Sequence, residues 1–145
     1  MNTIQQLLSL ALWLAGIGHF CVLAASFQVP QHLGWAEDLP KVRPFNRKLM
    51  WVYGGFTVLT IAAFGAMTLM LHEEFLRGDR AATVLAAFIA VYWTARILVD
   101  FLYYENADWP KGGYFAVGHF LLNALFFALA FTYWAVVGWY FFEMK

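Results

Sequence analysis

Residues 113–142 read GYFAVGHFLLNALFFALAFTYWAVVGWYFF and contain no Asp, Glu, Lys or Arg. At about 1.5 Å per residue, a helix of this length exceeds the roughly 30 Å thickness of the hydrocarbon core of a bilayer. Because lipid offers no water to backbone N–H and C=O groups, a segment that crosses it is expected to be helical. The stretch therefore predicts a transmembrane helix.

Three further apolar segments precede this one, at about residues 7–29, 49–71 and 81–104. Most of the charged residues lie in the connections between the segments or in the tail. Because these connections are short, we expect consecutive helices to lie side by side and antiparallel. The sequence predicts an all-α integral membrane protein with a single domain over residues 1–145. Its four transmembrane helices form an up-and-down bundle, with an interfacial loop between the first two.

The composition supports the same class of protein. Hydrophobic residues make up 63% of the chain and charged residues 12%, whereas soluble domains are about 45–50% apolar and about 25% charged. The formal net charge of zero excludes the basic surface of a nucleic-acid-binding protein. A single cysteine, Cys21, excludes an intrachain disulfide and a multi-cysteine metal site. The expected partners are the lipid bilayer and either other membrane subunits or further copies of this chain.

Basic residues are distributed unequally between the two ends of the predicted bundle. The first and third loops carry Lys41, Arg43, Arg47, Lys48 and Lys111, and the opposite side carries Arg77, Arg80 and Lys145. Because Lys and Arg are enriched on the cytoplasmic side of membranes, this difference predicts that the first and third loops are cytoplasmic.

Four ionisable residues interrupt the apolar segments, namely His19, Arg96, Asp100 and His119. Ionisable groups are costly inside a bilayer, so they usually face the bundle interior and mark function. Counting residues from Pro30 and Pro110 predicts that both histidines and the aspartate lie at one depth. Arg96 and Asp100 are four residues apart, so they share one helix face.

A b-type haem between the first and fourth helices is the main functional hypothesis. Such a haem needs two imidazole ligands on facing helices, with small residues that allow the porphyrin to approach the backbone. His19 and His119 are the predicted axial ligands. Gly18 and Gly118, which precede them, are expected to provide the space. The chain would then be an electron-transfer subunit of an oxidoreductase.

The remaining polar residues are expected to support this cofactor or an adjoining quinone. Asp100 and Arg96 are predicted to be the catalytic pair, which tunes the cofactor or handles protons. Asn123 on the fourth segment and Tyr53 on the second are expected to contact the cofactor. A quinone pocket beside the haem would use the same side chains as hydrogen-bond donors.

Two alternatives remain open from the sequence. His19, His119 and Asp100 together form a ligand set that suits non-haem iron or zinc. The polar cluster could instead be structural, in a non-catalytic accessory or assembly subunit of a larger membrane complex. Outside the apolar segments, His32 and His72 are predicted to be solvated.

Overall fold

The chain is almost entirely helical in a computed structural model, which describes residues 2–104 and 112–143. In chain order the helices are α1 (Thr3–Ser26), α2 (Val29–His32), α3 (Trp35–Asp38), α4 (Pro44–Met70), α5 (His72–Arg77), α6 (Arg80–Leu102) and α7 (Gly113–Glu143). The part of the chain that the structure describes contains no β-strand. Helices α1, α4, α6 and α7 are long and apolar enough to cross a membrane. The prediction of an all-α chain with four such helices is confirmed.

Two of the long helices begin earlier than predicted. At the start of α1, the Asn2 side chain accepts a hydrogen bond from the Gln5 backbone N–H, at 2.8 Å. The Gln5 side chain accepts one from the Asn2 N–H, at 3.1 Å. This reciprocal capping box allows α1 to start at Thr3 rather than at residue 7. Helix α4 starts at Pro44 rather than at residue 49, because proline suits the first turn of a helix.

The connections also contain helical structure. The first consists of α2, α3 and a 3-10 turn at Leu39–Lys41, rather than an irregular loop. Gly34, with φ of 66°, separates α2 from α3, and Gly78, with φ of 69°, ends α5. Both adopt the left-handed conformation that glycine tolerates best. The third connection, at residues 105–111, lies outside the described residues.

The long helices pack in pairs around an apolar interior. Helix α1 contacts both α4 and α7, and α7 contacts α6. Leu12, Ile89 and Leu129 are fully or almost fully buried in this interior. Large apolar side chains also cover the outside, as Phe88 at 59% exposure and Phe131 at 77% exposure illustrate. A helix that is apolar on all sides is typical of a protein surrounded by lipid.

The approach of α1 to α4 depends on Gly65. A β-carbon at this position would lie 3.1 Å from His19 Cβ and 2.9 Å from Phe20 Cε2. Both distances are shorter than ordinary van der Waals contact, so the two helices would have to move apart. We therefore expect Gly65→Ala to lower the free energy of unfolding by about 1–3 kcal/mol, measured by denaturant titration in detergent micelles.

Gly55 provides the matched control on the same helix. A β-carbon there meets nothing within 4 Å. Because alanine favours a helix over glycine, Gly55→Ala should leave the protein unchanged or stabilise it by up to about 1 kcal/mol. Equal unfolding free energies for the two variants would contradict the close contact at Gly65.

Candidate functional site

Four polar side chains meet between α6 and α7. Asp100 is the buried centre, and its Oδ2 lies 2.8 Å from both His119 Nε2 and Asn123 Nδ2. Its other oxygen, Oδ1, accepts a longer hydrogen bond from Arg96, at 3.4 Å. We refer to Arg96, Asp100, His119 and Asn123 as the polar cluster.

Helical periodicity brings these four residues together. Arg96 and Asp100 are four residues apart on α6, and His119 and Asn123 are four residues apart on α7. Such pairs lie on one face of a helix, and α6 packs against α7. The structure thus brings together four of the residues that the sequence singles out.

The polar cluster lies near the ends of its two helices. Asp100 is two residues before the end of α6, a distance of about 3 Å at the usual helical rise. His119 is six residues after the start of α7, or about 9 Å. Counting residues from Pro110 gives larger distances for both side chains. The reason is that α6 ends before that proline and α7 begins after it. The cluster is therefore close to the end of α6 and α7 that joins residues 105–111.

The buried carboxylate has partly exposed neighbours. The Asp100 side chain is only 3% exposed, whereas the side chains of Arg96 and His119 are 34% and 35% exposed. The Arg96 guanidinium carbon also lies 5.1 Å from the centre of the Phe126 ring, which is within the range of a cation–π contact. The polar cluster is therefore open to the surroundings through an arginine and a histidine.

Three atoms in the cluster form a triangle that suits more than one protonation state. His119 Nε2, Asp100 Oδ2 and Asn123 Nδ2 are 2.8 Å from one another. A protonated Nε2 donates to Asp100, and an unprotonated Nε2 accepts from Asn123, whose amide has two hydrogens. Asn123 Oδ1 is buried and accepts no hydrogen bond within the described residues. The arrangement can hold a proton between an imidazole and a carboxylate.

His19 lies in a different environment, in the interior between the helices. It is fully buried, and its Nδ1 lies 2.7 Å from the Ala15 carbonyl oxygen. The Trp93 indole N–H donates to His19 Nε2, at 3.1 Å. Because an indole nitrogen is only a donor, Nε2 must be the unprotonated nitrogen and Nδ1 must donate to Ala15. Both ring nitrogens are therefore engaged within the protein.

The two histidines also lie at different levels. His19 follows Gly18, which faces Leu125 and Leu129 of α7. Leu125 is six residues beyond His119, or about 9 Å along the helix axis. The structure therefore does not bring His19 and His119 together as a facing pair. Gly18 instead allows close packing, since a β-carbon there would lie 3.1 Å from Leu125 Cδ1.

Two other residues of the predicted site lie on exposed surfaces of their helices. Tyr53 lies on α4 and is 63% exposed, and a β-carbon on Gly118 would meet nothing within 4 Å. Within residues 2–104 and 112–142, no three His, Cys, Asp or Glu side chains are grouped to hold a metal ion. His19 thus does not join His119 and Asp100 in a three-ligand set.

Trp93 is a residue whose role the sequence pattern does not indicate. It is 1% exposed, and its ring stacks on Phe126 with centroids 5.0 Å apart. Trp93 binds His19 on one side and Phe126 on the other, and Phe126 in turn contacts Arg96. It therefore links the buried histidine to the polar cluster.

The predicted solvation of His72 is wrong. His72 is 6% exposed, its Nε2 lies 3.0 Å from Ser9 Oγ, and its ring centre lies 4.8 Å from that of Trp13. The chain turns at Leu71, so that α5 packs against α1. Polar neighbours in the sequence suggested exposure, but this turn buries the side chain.

Comparisons with protein families, characterised proteins and solved structures found no match for this chain.

Proposed function

We propose that this chain is an integral membrane protein whose polar cluster binds the carbonyl end of a lipid-soluble ligand of the quinone class. The four long helices would cross the bilayer in an antiparallel up-and-down arrangement. Apolar side chains on their interior and exterior faces, together with the short connections, support insertion. The predicted cytoplasmic side of the first and third loops remains part of this proposal.

The observation that supports this proposal is a buried carboxylate that binds two partly exposed hydrogen-bond donors. Asp100 positions Arg96 and His119, each about one-third exposed, at the open side of the cluster. Arg96 has five N–H donors, so it can bind Asp100 and a ligand carbonyl oxygen together. Asn123 Oδ1 is buried and has no hydrogen-bond partner among residues 2–104 and 112–142. Once the ligand enters the cluster, this oxygen would accept a hydrogen bond from the hydroxyl of the reduced ligand. The carbonyl oxygens of a quinone need hydrogen-bond donors, and the hydroxyl groups of its quinol need hydrogen-bond acceptors.

Proton transfer is the chemistry that the polar cluster can contribute. Reduction of a quinone to a quinol adds two electrons and two protons, and the His119–Asp100 pair can hold one of these protons. The electrons would come from a redox partner subunit in the membrane. In this proposal the chain is a ligand-binding subunit of an electron-transfer complex rather than a complete enzyme.

Quinone titration of the purified protein tests the proposal. Quenching of tryptophan fluorescence by a short-chain ubiquinone should be saturable in the wild type. We expect Arg96→Gln to weaken binding by at least tenfold, because a hydrogen bond to a charged group contributes about 1.5–3 kcal/mol. Arg43→Gln removes an equal charge at the exposed start of α4 and should leave the affinity unchanged. Equal affinity in wild type and Arg96→Gln would contradict the proposed site.

A structural role in an accessory subunit is the second candidate. Its supporting observation is that His19 is fully buried with both nitrogens hydrogen-bonded, as in a packing residue. Asp100 also binds Arg96 within one helix. In that case, variants of the cluster would lower the free energy of unfolding, and the wild type would not bind a quinone saturably.

The haem predicted from the sequence stays a prediction. Ligation by His19 requires Trp93 to release Nε2, and it requires His19 and His119 to come to one level. A visible spectrum of the purified protein tests it. A Soret band that is lost in both His19→Ala and His119→Ala would support a haem between α1 and α7. A band that persists in both variants would exclude these residues as its ligands.

A further inference from the structure

A second feature of α6 and α7 lies far from the polar cluster. An open groove between the two helices is lined by Arg80, Thr83, Val84, Ala87, Val137, Tyr140 and Phe141. Arg80 is the first residue of α6, and Asp100 is twenty residues further along, or about 30 Å at the helical rise. The groove is therefore near the opposite end of α6 from the polar cluster.

Among the side chains that the structure describes, those at this end of the molecule leave Arg80 without an ion pair. Arg77 binds two neighbouring carboxylates, Glu74 at 3.4 Å and Asp79 at 3.2 Å. The hydrogen bond to Asp79 and the nearby negative charges raise the pKa of the Arg77 guanidinium. Among residues 2–104 and 112–142, Arg80 forms no ion pair. Arg80 thus lines a largely apolar groove and has no ion pair with the side chains that the structure describes.

We propose that this groove binds an anionic phospholipid. The acyl chain would lie along Val84, Ala87 and Val137, and the phosphate would bind Arg80. A guanidinium group matches a phosphate through two parallel N–H···O hydrogen bonds. A residue at the end of a membrane-spanning helix is also at the level of the lipid headgroups. This inference depends on the proposed membrane insertion, but it does not depend on quinone binding.

Lipid binding to the full chain in detergent tests the inference by native mass spectrometry. The two probes are dioleoyl phosphatidylglycerol, which is anionic, and dioleoyl phosphatidylcholine, which is zwitterionic. The wild type should bind the anionic lipid more tightly. Arg80→Gln should reduce this preference by about fivefold, since a basic residue near an anionic membrane surface contributes about 1 kcal/mol.

Two further variants separate a defined site from general attraction. Arg43→Gln removes an exposed charge outside the groove and should retain the preference, and an equal loss in this variant would overturn the proposal. Ala87→Phe fills the groove but keeps Arg80, and it should weaken binding of the anionic lipid. Unchanged binding in Ala87→Phe would show that no acyl chain occupies the groove.

Membrane insertion is measured separately, so that a failure to insert can be distinguished from a failure to bind the anionic lipid. Carbonate extraction of expressed membranes should leave the wild type and the Arg80→Gln variant in the pellet. Release of the wild type would overturn the membrane proposal and the lipid site with it. Retention of the wild type without any preference for the anionic lipid would overturn the lipid site alone.

Discussion

Trp93→Ala is expected to lower the free energy of unfolding by about 3–5 kcal/mol, as removal of a large buried aromatic side chain does. Trp93 is 1% exposed, stacks on Phe126, and donates a hydrogen bond to His19. The variant removes this packing and leaves His19 Nε2 without its donor. Chemical unfolding in detergent, followed by circular dichroism, measures the change.

Two controls accompany this variant. The first separates the effect of removing a buried tryptophan from the effect of removing any tryptophan, and the second isolates the hydrogen bond to His19. Trp51→Ala removes a side chain that is 53% exposed on α4, and it should cost much less. A double-mutant cycle with Trp93→Phe and His19→Phe isolates the N–H···N hydrogen bond. The coupling should be about 0.6 kcal/mol and at most about 1.7 kcal/mol, as found for polar contacts between membrane helices. Zero coupling would contradict the hydrogen bond between Trp93 and His19.

The helical segments were predictable because charge and hydrophobicity are separated along the chain. No Asp, Glu, Lys or Arg interrupts residues 113–142, and α7 covers Gly113–Glu143. Helix ends were less predictable, because they depend on individual residues at the helix start, which the mean hydropathy of a segment does not reveal. Asn2 and Pro44 extend α1 and α4 beyond their apolar segments.

The candidate site was predictable only where it depends on local periodicity. The pair Arg96 and Asp100 and the pair His119 and Asn123 each share a helix face by their spacing of four. The position of His19 depends on how α1 meets α7, which no local pattern specifies. Counting from the prolines assumed that α1 and α7 meet with their ends level, but Gly18 of α1 faces Leu125 and Leu129 of α7. The predicted common level was wrong for this reason.

Trp93 and His19 also explain why buried histidines are difficult to interpret from sequence. An imidazole in an apolar segment can equally well be a metal ligand or a packing residue whose ring nitrogens are hydrogen-bonded within the protein. The distinction depends on its partners, which here are the Ala15 carbonyl and the Trp93 indole. Only the three-dimensional arrangement identifies a donor 74 residues away in the chain.

Asp100→Ala is expected to affect both stability and quinone binding. Asp100 accepts hydrogen bonds from Arg96 and Asn123 and lies 2.8 Å from His119 Nε2. Removing the carboxylate leaves these groups without their common acceptor. We expect a loss of about 2–3 kcal/mol in unfolding free energy, below the 3–5 kcal/mol typical of a broken buried pair. The smaller value follows from the partial exposure of Arg96 and His119, which allows both to find other partners.

The isosteric variant Asp100→Asn decides between ligand binding and a structural role. Its carbonyl oxygen can still accept from Asn123, but the amide nitrogen that replaces Oδ1 cannot accept from Arg96, so the long hydrogen bond of 3.4 Å is lost. We therefore expect a loss of only about 1 kcal/mol in stability, since one net hydrogen bond contributes about that much. The negative charge that positions Arg96 and His119 is lost, however, and charge-assisted bonds are about twice as strong as neutral ones. Quinone affinity should then fall by at least tenfold in a protein that remains folded. An Asp100→Asn protein that binds quinone like the wild type would show that the carboxylate is needed for packing alone.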